Sequence, residues 1–191
     1  MPKTRAKTKL NIMKSKLSNL IIALLVMVAC VACCNTPSGE NYKTKDGMIV
    51  FDEPARAAGQ ESMLGFAADP IPVVRVGFVG LGMRGPGAVN RFTHLEGVEI
   101  KGLCDLKQEN VSKCQPMLER AGMPKAAEYV GDEAYKELCE RDDVDLIYIA
   151  TDWLNHTPIA LYAMEHGKHV AIEVPAATSL EECWQLVDTS E

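Results

Sequence analysis

The residues most able to do chemistry begin with three glycines. Gly80, Gly82 and Gly85 stand at GxGxxG spacing in "GLGMRG", directly after the apolar run "VVRVGFV". This spacing has a mechanism when it follows a strand and opens a helix. Gly80 then permits a tight turn, Gly82 lets a pyrophosphate approach the backbone, and Gly85 allows close helix–strand packing. The helix start adds unpaired N–H groups for the phosphates, and Arg84 offers a charge contact. Asp105 ends a second apolar run, "VEIKGLCD", 20 residues after Gly85. An acid there accepts hydrogen bonds from the adenosine ribose hydroxyls and repels a 2′-phosphate, which favours NAD over NADP. Its plainer reading is a strand-end aspartate capping "LKQEN". A further polar group follows in "ATDWLNHTPIALYAMEHGKHVAIEVP": Thr151, Asp152, Trp153, Asn155, His156, then Glu173. Taken alone, His156 reads as a helix-start residue and Asn155 as an ordinary N-cap.

The elements that must position these groups show in the hydrophobic periods. "VVRVGFVG", "VEIKGLCD", "VDLIYIAT" and "KHVAIEV" read as strands, with a shorter one near "AEYVG". Helical spacing appears in "PGAVNRFTHL", in "ENVSKCQPMLERAG" with a break at Pro116, and in "DEAYKELCERDD" with Tyr135, Leu138 and Cys139 inward. It recurs in "TPIALYAMEHG" and "SLEECWQLVDTSE". His169 reads as a structural strand-start residue, and Trp184 as core packing beside Leu180, Leu186 and Val187. The alternation predicts an α/β fold, a Rossmann-type doubly wound parallel sheet with both faces covered. In such a sheet ligands bind at the carboxyl ends of the strands. Gly80–Gly85, Asp105, Trp153–His156 and Glu173–Val174 are therefore expected on one edge.

Charge is uneven along the 191 residues. Residues 1–29 hold six bases and no acid, which leaves 14 bases against 26 acids, a formal charge of −12, for the rest. The folded part lacks a basic patch to replace phosphate counterions, which argues against a nucleic-acid partner. The basic start leads into Leu17–Ala29, an apolar run too short to span a bilayer comfortably, and so reads as an export signal over residues 1–29. Its end, "VMVAC", resembles a bacterial lipobox with Cys30 as the lipidated residue, which implies an exported protein held at a membrane by an N-terminal lipid. Residues 30–70 read as a tether with one possible strand at "GMIVF", and 71–191 as the nucleotide-binding domain. Cys104, Cys114, Cys139 and Cys183 show no metal-ligand spacing and read as isolated, mostly buried thiols.

The strings "VGFVGLGMRG", "LCD", "VDLIYIAT" with the histidine after it, "HGKHVAIEVP" and the closing helix resemble the N-terminal domain of the Gfo/Idh/MocA oxidoreductases, over Val73 to Glu191. Within that superfamily, "GLGMRGPGAV", "ATDWLNHTPIALYAMEHGKHVAIEVPAA" and "EECWQLVDTSE" most closely resemble glycoside hydrolase family 109, the NAD-dependent α-N-acetylgalactosaminidases. The resemblance implies NAD contacts at Met83, Arg84, Asp105, Trp153, Leu154, Asn155, His156, Glu173 and Val174. Most of the oxidoreductases carry Glu-Lys-Pro where this chain has Glu173-Val174-Pro175, and their lysine transfers the proton at the oxidised carbon. Valine cannot. The family 109 pattern carries Glu-Val-Pro. It implies a sugar substrate oxidised transiently at carbon 3, elimination of the glycosidic substituent, water addition and re-reduction, with NAD regenerated each cycle. The family's second α+β domain, which forms the substrate pocket, is not found before Glu191. The expectation is therefore a truncated product or fragment that binds NAD and hydrolyses nothing by itself. A lipoprotein sugar oxidoreductase and a non-enzymatic nucleotide-binding module are the competing readings.

Overall fold

The computed structural model describes residues 42–51 and 54–191. The export signal, Cys30 and the first part of the tether lie outside the described residues. The chain divides into two units, 1–53 and 54–191.

In the first unit, β1 (Tyr42–Lys45) and β2 (Met48–Phe51) pair antiparallel. Asp46 and Gly47 join them with φ of 52° and 78°, the left-handed pair that a two-residue hairpin turn demands. The sequence reading places only one strand here. It misses the polar partner "YKTK", although the Asp-Gly between the two runs is a hairpin signal.

The second unit holds β3 (Val74–Val79), α1 (Gly85–Phe92), β4 (Val98–Asp105), α2 (Gln108–Ser112), α3 (Gln115–Arg120), β5 (Ala127–Val130), α4 (Ala134–Cys139), β6 (Leu146–Ile149), α5 (Trp153–Glu165), β7 (His169–Ile172) and α6 (Leu180–Ser190). The five strands form one parallel sheet in the order β5-β4-β3-β6-β7. The chain winds outward from β3 to β5, then returns to β6 on the other side of β3. This reversal is what parts the connecting loops and opens a crevice at the carboxyl edge. The expected doubly wound sheet is the observed fold.

Alternating side chains supply a core on each face. Val76, Phe78, Ile100 and Leu103 pack under α1, α2 and α3, joined by Val89, Val111 and Leu118. Val79, Cys104, Ile147 and Ile149 pack under α4 and α5, with Leu138, Ile159 and Ala163. The register slips between Val76 and Gly77, so Gly77 pairs with Gly102 rather than Lys101. That bulge is why Ile100 and Leu103, three residues apart, share a face. It also sets two glycines side by side under Leu138. A Cβ on Gly102 would lie 2.3 Å from Leu138 Cδ1, and one on Gly77 would lie 3.0 Å away. The missing side chains form a socket that seats α4 on the sheet.

Several boundaries differ from the periodic reading. "ENVSKCQPMLERAG" forms two helices rather than one, and they break at Cys114. Pro116 falls in the first turn of α3, where its missing N–H costs nothing. The fourth helix covers only Ala134–Cys139. The helix expected from Thr157 begins at Trp153, because Asp152, not Asn155, caps it: Leu154 N donates to Asp152 Oδ1 at 3.1 Å. Pro158 therefore sits inside α5. Trp184 is half-buried and α6 has no fully buried residue, so the expected core role gives way to surface packing. The Arg56 guanidinium stands 5.8 Å from the Trp184 ring centroid and pairs with Asp188 and Glu191, while Gln60 Nε2 donates to Asp188 O at 3.1 Å. These contacts tie the start of the second unit to its last helix. Cys104, Cys114 and Cys139 are buried free thiols, and Cys183 is an exposed one.

Candidate functional site

The carboxyl ends of β3, β4, β6 and β7 meet around a cleft of about 600 Å³. Gly80, Gly82, Met83 and Arg84 line it from the loop after β3, and Asp105 lines it from the end of β4. Trp153, Asn155 and His156 enter from the start of α5, Glu173 and Val174 from the loop after β7. Of the residues singled out in the sequence, Gly85 and Leu154 stand apart from the lining. Gly85 is buried beneath the loop, where an added Cβ would lie 2.0 Å from Gly80 O. Leu154 is 75% exposed and contributes its backbone N–H to the cap of α5.

The glycine loop is built for close approach. Gly80 has φ +92°, and a Cβ there would lie 2.5–2.6 Å from backbone atoms of Ala150 and Thr151. Gly82 differs: a Cβ there meets nothing within 4 Å. The protein's own packing gives no reason for glycine at 82, so the open space in front of it is the feature that a dinucleotide backbone would need. The helix that follows agrees. Among the described helices of eight residues or more, α5 is capped by Asp152 and α6 by the Ser179–Glu182 capping box, whereas α1 takes no side-chain cap. No side chain caps the N–H groups of its first turn, a setting that favours phosphate oxygens. The residues present therefore fit a dinucleotide.

Asp105 does not cap α2, whose N-cap Lys107 takes no side-chain bond. Its Oδ1 accepts from Lys107 N at 2.9 Å and Asn110 Nδ2 at 2.8 Å, and its Oδ2 accepts from Leu81 N at 2.7 Å. A carboxylate has about four lone-pair sites. These three bonds take three of them.

The opposite end is held by a clasp. His156 is fully buried, and its Nδ1 lies 2.7 Å from Pro175 O. A carbonyl only accepts, so Nδ1 carries the proton. Thr157 Oγ1 donates to Ala176 O at 3.1 Å. The two bonds fix the loop after β7 against α5. Glu173 Oε1 accepts from Tyr148 OH at 2.7 Å, with Arg91 Nη2 3.9 Å away. Burial, then the Glu173 bond, pushes the Tyr148 phenol up. With Glu173 so engaged, Val174 stands 83% exposed at the cleft mouth. On α5, the Asn155 amide, then the Leu154 N–H, holds the Asp152 carboxyl below its usual range.

The sequence reading missed Leu106, Lys107, Asn110, Gly131, Asp132 and Tyr135, which also line the cleft. Gly131 and Asp132 directly follow β5, so the strand-end rule applied to "AEYVGD" would have found them. Asn110 lies in the first turn of α2 and carries no motif of its own.

Residues 74–191 match the model of an oxidoreductase family, NAD-binding Rossmann fold, Gfo/Idh/MocA. The chain is 54% identical over 178 residues to glycosyl hydrolase family 109 protein 4 of Phocaeicola vulgatus, covering 88% of this chain and 34% of that protein. It is also 54% identical over 136 residues to an alpha-N-acetylgalactosaminidase of Bacteroides fragilis, covering 71% of this chain and 32% of that protein. It thus spans about a third of the length of these relatives. Among solved structures, myo-inositol dehydrogenase from Lactobacillus casei in complex with NAD(H) and myo-inositol superposes with a TM-score of 0.53 at 26% identity, over 61% of this chain and 33% of that one. The uncapped helix, the open glycine and the strand-end acid are thus those of an NAD-binding Rossmann domain, and the chain belongs to the Gfo/Idh/MocA oxidoreductase family.

Proposed function

We propose that this chain is the NAD-binding part of an exported glycosidase that cleaves α-N-acetylgalactosaminides by transient oxidation at carbon 3, elimination, water addition and re-reduction. The observation that carries the reading is Val174, exposed at the mouth of the cleft with no group that can titrate. A dehydrogenase of this fold would need an acid or base there. A family 109 reading does not, and a relative named alpha-N-acetylgalactosaminidase is 54% identical. When bound, NAD supplies reversible hydride acceptance at the sugar. Gly82 leaves room for the pyrophosphate, with Met83 and Arg84 beside it. Asp105 would hold the ribose. Trp153 and Asn155 flank the nicotinamide end, and His156 holds the loop that carries Glu173 and Val174. On this reading the sugar pocket and the groups that move its protons lie outside the NAD-binding domain.

The test joins Glu191 to the remainder of a family 109 relative. This chimera is expected to release N-acetylgalactosamine from an α-linked aryl glycoside without stoichiometric NADH. The 191-residue chain is expected to bind NAD, read as a change in Trp153 fluorescence, and to release no sugar. Stoichiometric NADH from the chimera with a free sugar would instead favour a lipoprotein sugar oxidoreductase.

The export assignment rests on the basic, then apolar, N-terminus ending in "VMVAC". In a bacterial host, labelled palmitate is expected to enter the wild-type chain and to be absent from Cys30→Ala. Equal labelling of both would sink the proposal at Cys30.

A further inference from the structure

The loop that faces the pyrophosphate has little of its own to hold it. Leu81 is its one buried side chain, Gly82 has none, and Met83 is 89% exposed. What holds it is polar and comes from the end of β4, from α2 and from the turn after α2. Leu81 N donates to Asp105 Oδ2 at 2.7 Å. Asp105 Oδ1 accepts from Asn110 Nδ2 at 2.8 Å. Asn110 Oδ1 accepts from Lys113 Nζ at 2.7 Å, and the same ammonium donates to Gly82 O at 3.3 Å. Because Leu81 and Gly82 are neighbours, these four bonds close a ring. It grips one N–H and one C=O of the glycine loop and ties both to the acid at the end of β4.

We infer that Asn110 and Lys113 are positioning residues of the dinucleotide site, holding the glycine loop and Asp105 in register before NAD binds. This rests on the NAD reading of the cleft. Asn110 does so from the cleft wall, and Lys113 from outside the lining. The chemistry suits each. Asn110 must donate to a carboxylate with one end and accept from an ammonium with the other, which its amide does and a carboxylate cannot. Lys113 must give two N–H bonds to two carbonyl oxygens, which needs a multiple donor. A loop fixed in advance loses less freedom when the ligand arrives, so the ring acts on affinity through preorganisation.

A ring predicts coupling. Asn110→Ala and Lys113→Met are each expected to weaken NAD binding about 5- to 10-fold, and the double variant by about 10-fold rather than the product, because either change alone opens the ring. Lys113→Arg, which keeps the donors, is expected to stay within about 2-fold. Hydrogen exchange at the Leu81 amide in the ligand-free chain supplies a readout independent of NAD. It is expected to speed about 10-fold in Asn110→Ala, with the melting temperature nearly unchanged. Variants that bind NAD as well as wild type, or that lose affinity multiplicatively, overturn the ring and leave the cofactor site intact. Unaltered Leu81 exchange in Asn110→Ala also overturns it. A wild-type chain that takes no NAD overturns the cofactor reading and this role together.

Discussion

Gly82→Leu is expected to lose NAD binding while melting close to wild type. A Cβ at position 82 meets no heavy atom within 4 Å, and the backbone at that position is not in the left-handed region. The folded chain therefore tolerates a side chain at 82, in the loop that lines the cleft. The leucine occupies the path by which a pyrophosphate reaches the loop N–H groups. Those groups act only at hydrogen-bond range, and an intervening side chain removes them all at once. A loss of about 100-fold in affinity, about 2.7 kcal/mol, is the expected scale. Trp153 is 62% exposed beside the cleft and reports the titration, while thermal melting reports the fold. NAD affinity within a few-fold of wild type would show that the dinucleotide does not pass over Gly82, and the cleft would need another explanation.

What could be seen in the sequence, and what could not, follows from the range of the signals. The strand–GxGxxG–helix unit and Asp105 are legible because each function depends on local spacing along one crossover. The parallel sheet is legible because strands buried on both faces read as continuous apolar runs. Helix starts are less so. Asn155 reads as an N-cap and the helical spacing shows from Thr157, whereas Asp152 caps α5 and the helix holds Pro158 inside it. Trp184 reads as core from its helical neighbours, yet Arg56, far away in sequence, is what covers it. The ring through Asn110 and Lys113 has no sequence signature, since its members are joined by tertiary geometry across 31 positions.

The pair Glu173-Val174 shows how the fold changes the meaning of a motif. In the sequence it marks a missing lysine. In the structure Glu173 Oε1 is bonded to Tyr148 OH with Arg91 nearby, and the valine is left exposed. Valine has no group that could move a proton. The cleft has the glycine loop at one end and the exposed apolar side chains of Trp153 and Val174 at the other. That division matches a domain that carries the redox agent and leaves proton chemistry to other groups.

The other two glycines of the motif predict the reverse phenotype from Gly82. Gly85→Ala would place a Cβ 2.0 Å from Gly80 O and 2.9 Å from Gly80 C. Both are backbone atoms and cannot rotate away. To relieve the contact, α1 must withdraw from β3. The contacts of Ala88 and Val89, both fully buried, and the edge-to-face packing of Phe78 on Phe92 at 5.2 Å would then loosen. Gly80→Ala collides with the backbone of Ala150 and Thr151 at 2.5–2.6 Å and must also hold φ at +92°, a strained conformation for alanine. Each change is expected to cost about 4 kcal/mol or more, a large share of the 5–15 kcal/mol that typically holds a domain together. Gly102→Ala provides the contrast. Its nearest neighbour is Leu138 Cδ1 at 2.3 Å, a side-chain atom, so pairing it with Leu138→Ala should recover part of the loss. No second-site truncation can do this for Gly80 or Gly85, where the obstacle is main chain. Urea unfolding followed by circular dichroism checks all three. A Gly85→Ala chain melting within about 2 °C of wild type would mean that the close approach of α1 to the glycine loop is not what holds the cradle together.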